Sequence, residues 1–218
     1  MPLTETLRTA DGITIYLWNP AETIQELLQQ LDDTSFLSRS GIPDIHGLPA
    51  KRACEILTVR ILIQQIFGDP SQLAYHSSGA PYVPHFNGHI SISHTRSCIA
   101  LGIHPSQPIG IDVETLTERI CRIQKKFINT DEAEQLSPQN PVTGATFLWS
   151  AKESLYKVLQ TSSVDFRTHL HVTPINPAIT AASVSAYQTR TTPAVHYKIH
   201  YRLYSDFVLT AAIAETPP

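Results

Sequence analysis

The order of apolar periodicities restricts this chain more than any other feature. A strand signal leads into helix signals and then back into strands, and the sequence does this twice. Residues 11–17 read as a strand. Asn19, Pro20 and Glu22 then have the layout of a helix start: Asn as cap, Pro at the first helical position, Glu three after the cap. Ile24, Leu27, Leu28 and Leu31 follow at helical spacing. Residues 38–49 read as a loop rich in Gly, Pro and Ser. A long helix is predicted over 50–67, with Ala53, Ile56, Leu57 and Ile61 on its apolar side and Gly68-Asp69-Pro70 as its stop. Residues 89–95 and 97–103 read as strands, and a Pro-rich break covers 104–108. The second half starts with a strand over 109–114. Helices follow over 120–127, 131–136 and 143–160, then strands over 169–173, 181–188, 194–204 and 207–214. Residues 97–103 faintly echo 207–213. Segregated helices and antiparallel strands predict an α+β protein.

Composition removes several function classes. The 218 residues are 42% hydrophobic, which is too apolar for a disordered chain. Lys and Arg number 16 against 19 Asp and Glu, a net charge of −3, so no general basic field for nucleic acid is expected. No apolar run reaches the roughly 18 residues of a membrane span. Residues 1–12 lack a charged-then-apolar signal layout, so a soluble, non-secreted, cytoplasmic protein is expected. Cys54, Cys98 and Cys121 are odd in number and widely spaced, which suits buried thiols in a reducing compartment.

Phosphate-binding glycine motifs, HExxH and GxSxG are all absent. Ser154 and Lys157 match SxxK, but the companion motifs of that chemistry are missing. Three segments are more informative. In Gly110-Ile111-Asp112-Val113-Glu114, strand alternation puts both carboxylates on one face and Ile109, Ile111 and Val113 on the other. Two such carboxylates repel unless a cation lies between them or one is protonated, and a hard divalent ion suits them. The bland alternative is the solvated face of an edge strand. In Trp149-Ser150-Ala151-Lys152-Glu153-Ser154-Leu155-Tyr156-Lys157, the residues Trp149, Glu153 and Lys157 share one helix stripe. That stripe offers either a plain Glu153–Lys157 helix pair or a third carboxylate beside a phosphate-neutralising lysine. Ser91-Ile92-Ser93-His94-Thr95 places its serines opposite Ile90 and Ile92, with His94 at the strand end. Lys51 and Arg52 open the long helix, where cations and a helix N-terminus attract anions.

In chain order, with 91–95 first, 110–114 second and 149–157 third, the segments resemble the 4′-phosphopantetheinyl transferases of the surfactin-synthetase-activating type. That family carries an SH motif, a G-[IV]-D-x-E motif and a W-x-x-K-E-x-x-x-K motif in the same succession. Gly79-Ala80-Pro81-Tyr82 stands where the family has a GKPY-like turn, and residues 126–132 look like its RFFS-x-x-E segment. The resemblance implies two similar α+β halves in a pseudo-two-fold arrangement. Residues 1–108 would bind coenzyme A, and 109–218 would carry the metal and catalytic residues of a monomer. It also implies the reaction: a carrier-protein serine takes the phosphopantetheine arm of coenzyme A, and 3′,5′-ADP leaves. Asp112, Glu114 and Glu153 match Mg²⁺ ligands, with Mn²⁺ as a substitute. Glu153, or a water held by Glu114, matches the general base, and Lys157 the lysine that steadies the pyrophosphate. Lys51, Arg52, Ser93, His94, Lys152 and Lys157 match the coenzyme A side. Arg119, Arg122, Lys125 and Lys126 crowd one side of the helix after the metal strand and would dock an acidic acyl or peptidyl carrier protein. No nucleic-acid or membrane partner is implied.

Two departures stand out. Ala80 replaces the lysine of GKPY, leaving Arg52, Arg60 or Arg96 to compensate. Residues 158–163 replace a glycine-rich turn. The alternative reading is a non-catalytic coenzyme A or carrier-protein binding module of the same fold.

Overall fold

The computed structural model describes residues 3–38 and 44–215. The first half contains β1 (Leu3–Arg8), β2 (Thr14–Trp18), α1 (Ile24–Leu28), α2 (Ala50–Phe67), β3 (Ala74–Tyr75), β4 (Pro81–Tyr82), β5 (His89–His94) and β6 (Ile99–His104). The second contains β7 (Ile109–Thr115), α3 (Arg119–Ile123), α4 (Thr130–Gln135), α5 (Pro141–Leu159), β8 (Leu170–Val172), β9 (Ala181–Gln188), β10 (Val195–Leu203) and β11 (Phe207–Ala214). The protein is α+β, with antiparallel sheets ordered β1-β2-β6-β5 and β7-β11-β10-β9-β8. In both sheets the strand before the long helix pairs with the last strand of its half, which also pairs with the penultimate one.

Local chemistry explains most boundaries. Helix α2 starts after Pro49 and ends where Gly68 turns left-handed at φ 84°. Helix α1 does not start at Asn19 as the sequence suggested. Thr23 and Glu26 form its capping box, while Glu22 accepts the Trp18 indole N–H at 3.2 Å. The loop expected over 38–49 falls partly outside the described residues, and within it Ile45–Gly47 makes a 3-10 turn. The helix expected over 120–127 is α3 followed by a 3-10 turn at Gln124–Lys126.

The core has three layers of contact. Helix α2 covers one face of the first sheet through Leu57, Ile61 and Leu62 against Trp18, Ile99 and Leu101. Helix α5 covers one face of the second through Phe147, Leu148 and Leu155 against Ile199, Val208 and Ala212. The other faces meet each other: Ile13, Ile15, Leu17 and Ala100 pack with Ile111, Val113, Leu209 and Ala211. No helix among the described residues is long and apolar enough to cross a membrane.

Candidate active site

Strand β7 is the second sheet's edge, and it runs beside β5, the edge of the first. No backbone ladder joins them. Serine hydroxyls do: Ile111 N–H donates to Ser91 Oγ at 3.0 Å, and Val113 N–H to Ser93 Oγ at 3.2 Å. Gly110, Asp112 and Glu114 lie on the β7 face that α5 covers, opposite Ile109, Ile111 and Val113. Gly110 permits this contact, because a Cβ there would collide with the Ser154 carbonyl oxygen of α5. The face is therefore not a solvated edge, and Asp112 is buried.

Asp112 is held on one side only. Its Oδ1 accepts from Ser93 Oγ at 2.9 Å and from Lys157 Nζ at 2.9 Å. Its Oδ2 is buried without a hydrogen-bond partner. Lys157 also donates to the Ile111 carbonyl at 2.8 Å, so one of its three N–H bonds is left for a ligand. A helix pair with Glu153 was one of the two sequence alternatives for Lys157, but the ion pair formed is Lys157–Asp112. Burial, then the Asp112 charge, raises the Glu114 carboxyl, which also interacts with Trp149. Burial and Asp112 push Glu153 up to about 7 against the pull of Lys157.

Among the described residues, no three His, Cys, Asp or Glu side chains already converge as a metal-ligand group. The donor chemistry nevertheless fits a hard divalent cation. The donors are all oxygen, two of the carboxyls resist ionising alone, and Asp112 presents a bare buried oxygen.

Two adjoining cavities extend the site. One of about 420 Å³ is lined from both halves, by Ala80 and Ser91 on one side and by Tyr156, Lys157, Gln160 and Ser162 on the other. The other, of about 340 Å³, is lined by Arg52, Glu55, Arg60, Tyr75 and His94, and the two share Gly79, Pro81 and Ile92. The turn that replaces the glycine-rich one keeps left-handed backbone, with Gln160 at φ 48° and Ser163 at φ 59°.

The expected binding residues separate on inspection. Lys51, Arg52 and His94 come together around Glu55, a buried carboxylate that the motifs did not single out. The signal available for it was its i+4 and i+3 spacing from Lys51 and Arg52. Lys152 is corrected: it is fully buried, and its ammonium donates to the Phe127 carbonyl, the Phe166 carbonyl and Glu132. All three N–H bonds are used, so it braces the second half's core and cannot reach coenzyme A in this arrangement. Ser93 is buried as well, and its hydroxyl is engaged by Asp112 and Val113. Arg60 lines the smaller cavity but is tied through Nη1 to the Pro70 and Leu73 carbonyls. Ser154, of the SxxK spacing, is buried and donates to the Ala151 carbonyl. Arg119, Arg122, Lys125 and Lys126 are exposed, with Ile120 and Phe127 buried beneath them.

Residues 108–212 match the model of the 4′-phosphopantetheinyl transferase superfamily. A 4′-phosphopantetheinyl transferase of Bacillus subtilis is 31% identical over 108 residues, which is 46% of this chain and 48% of that protein. The 4′-phosphopantetheinyl transferase gsp of Aneurinibacillus migulanus is 30% identical over 110 residues, 48% of this chain and 46% of that protein. The chain thus spans about half the length of the curated relatives it matches.

Proposed function

We propose that the chain, whose residues 108–212 match the model of the 4′-phosphopantetheinyl transferase superfamily, moves the phosphopantetheine arm of coenzyme A onto a serine of an apo acyl or peptidyl carrier protein. One observation carries this reading. The Lys157–Asp112 pair, with its bare Oδ2 and a spare ammonium N–H, lies beside a cleft lined from both halves.

The serine hydroxyl oxygen attacks the β-phosphorus of coenzyme A. A new serine O–P bond forms as the bond to the bridging oxygen breaks, and 3′,5′-ADP leaves with that oxygen. The serine proton passes to Glu153, directly or through a water held by Glu114. Asp112, Glu114 and Glu153 would hold Mg²⁺ or Mn²⁺, which when bound neutralises charge on the phosphates. Lys157 places its free N–H against the pyrophosphate. Phosphoryl transfer asks mainly for this kind of positioning and charge neutralisation.

Lys51, Arg52 and His94 form the coenzyme A end of the cleft, on the 1–108 half. Residues 109–218 supply the metal ligands, the base and Lys157. The corresponding stretches β2-β6-β5 and β7-β11-β10 support a pseudo-two-fold relation between the halves. The exposed cations Arg119, Arg122, Lys125 and Lys126 would receive an acidic carrier protein. Ala80, which lines the cleft where a lysine was expected, favours the second reading of a binding module without transfer. One assay separates the two. Apo carrier protein, coenzyme A and Mg²⁺ should yield carrier protein heavier by one phosphopantetheine arm, with stoichiometric 3′,5′-ADP. Binding of coenzyme A without either product would establish the module.

A further inference from the structure

Glu55 has no part in the chemistry above. It lies in the second turn of α2, is buried, and gathers two cations of its own helix and the His94 imidazole of β5. Arg52 Nη1 is 3.0 Å from its Oε2, Lys51 Nζ is 3.7 Å from its Oε1, and His94 Nε2 is 3.1 Å from its Oε2. The same carboxylate lines the smaller cavity with Arg52, Arg60 and His94.

A carboxylate in the wall of an anion site is unfavourable twice: it loses hydration, and it repels the ligand. Its benefit has to come through its neighbours. The Lys51 and Arg52 side chains are 65% and 53% exposed, and a long cationic chain free in water loses rotamer entropy when a ligand captures it. An anchor that is itself fixed in the core removes part of that loss beforehand. His94, at the end of β5, is tied to the same anchor through Nε2, which leaves Nδ1 on the ring's other side.

Building on the transfer reading, we propose that Glu55 is a positioning residue, which fixes Arg52 and orients the His94 ring as a preformed wall for the terminal phosphate at the nucleotide end of coenzyme A. Coulomb attraction taken alone predicts the opposite effect of removing Glu55, because an anion site that loses a negative charge should bind anions more tightly. The sign of the change therefore decides.

The test uses the full chain and two probes, 3′,5′-ADP and 5′-AMP, which lacks the 3′-phosphate, with affinities measured by calorimetry. In Glu55→Ala, affinity for 3′,5′-ADP should fall about tenfold and that for AMP by roughly twofold or less. KM for coenzyme A should rise in parallel, while KM for carrier protein stays unchanged. Glu55→Gln keeps an acceptor oxygen of the same shape without its charge, and should lose only about threefold. If Glu55→Ala does not fold, Glu55→Gln decides alone. Unchanged or tighter 3′,5′-ADP binding in a folded variant, or equal losses for both probes, would overturn the positioning role and leave the transferase reading intact. A wild-type protein that binds neither probe overturns both.

Discussion

At Asp112 the two carboxylate oxygens have different fates: Oδ1 accepts from Ser93 and Lys157, and Oδ2 is buried and bare. Asp112→Asn should therefore act on folding and on metal together. Lys157 would lose its anion, at a cost of about 1–3 kcal/mol, and Mg²⁺ affinity measured by titration calorimetry should drop. Turnover should fall by about a hundredfold, the scale of losing a preorganised electrostatic contact. A wild-type rate at saturating Mg²⁺ would take Asp112 out of the chemistry. Glu153 acts through its proton. The fold raises its carboxyl from an ordinary 4.5 to about 7, first by burial and then by Asp112. A raised carboxyl stabilises the fold most below its unfolded value, and that contribution is lost as pH climbs through the folded value. Metal-free protein should accordingly lose thermal stability between about pH 4.5 and about 7. In Glu153→Gln this part of the slope should vanish, although kcat falls by about a hundredfold. An unchanged slope in the variant would assign the pH dependence to other groups.

Elements with strong local punctuation were legible in the sequence. Helix α2 lies where Ala50 and Gly68 bound it, and β9 and β11 match their apolar runs. Strand β1 escaped notice because its half-buried edge alternates Thr, Glu and Arg with only two leucines, so its apolar contrast is weak. The two-residue strands β3 and β4 are too short to show any period. On α5 the stripe of Trp149, Glu153 and Lys157 was readable. The strand that this stripe meets was not, so the bland reading paired Lys157 with Glu153, and its contact with Asp112 across the packing went unforeseen. Lys152 was placed on the coenzyme A side for a related reason. Its motif position says nothing of Glu132, which arrives from α4 to pair with it at 2.7 Å and also caps Val172 N–H of β8. Removing one member of a fully buried pair leaves an uncompensated charge, so Glu132→Gln or Lys152→Met should each cost about 3–5 kcal/mol in denaturant unfolding. The double variant should recover part of that loss, and strictly additive losses would show that the two side chains are not coupled. The α3 segment makes a kinetic claim. Arg122→Glu with Lys126→Glu should raise KM for carrier protein and flatten its salt dependence, since surface charge acts mainly on encounter and is screened over about 8 Å. An unaltered carrier-protein KM at low salt would place the docking surface elsewhere.

At the scale of the molecule, the two sheets share their middle. Ile111 is fully buried between them, and the cluster around it takes Ile13, Ile15 and Leu17 from the first half and Leu209, Ala211 and Ile213 from the second. Polar ties cross the same boundary: Asp11 meets Lys198 and His200, and Glu5 meets Arg202 and Tyr204. Neither half can expose that shared apolar face to water without losing a large part of its own burial, so the halves should unfold together rather than in sequence. The chain carries its own reporters, one on each side. Trp18 is buried against the α2 core, and Trp149 packs between Phe127 and Phe166 in the other half. In Trp149→Phe the fluorescence reports the first half, and in Trp18→Phe the second. Each variant's own loss of stability is removed by comparing its fluorescence midpoint with its circular dichroism midpoint, which averages both halves. Coincident midpoints within each variant are expected. Ile111→Ala, added to either background, should lower both signals by the same amount, about 2–5 kcal/mol for a large-to-small change in a closed core. If the Trp18 signal instead stays at its original midpoint while the Trp149 signal moves, the halves are separately stable. The cleft between them would then be held by its serine seam and surface ion pairs alone.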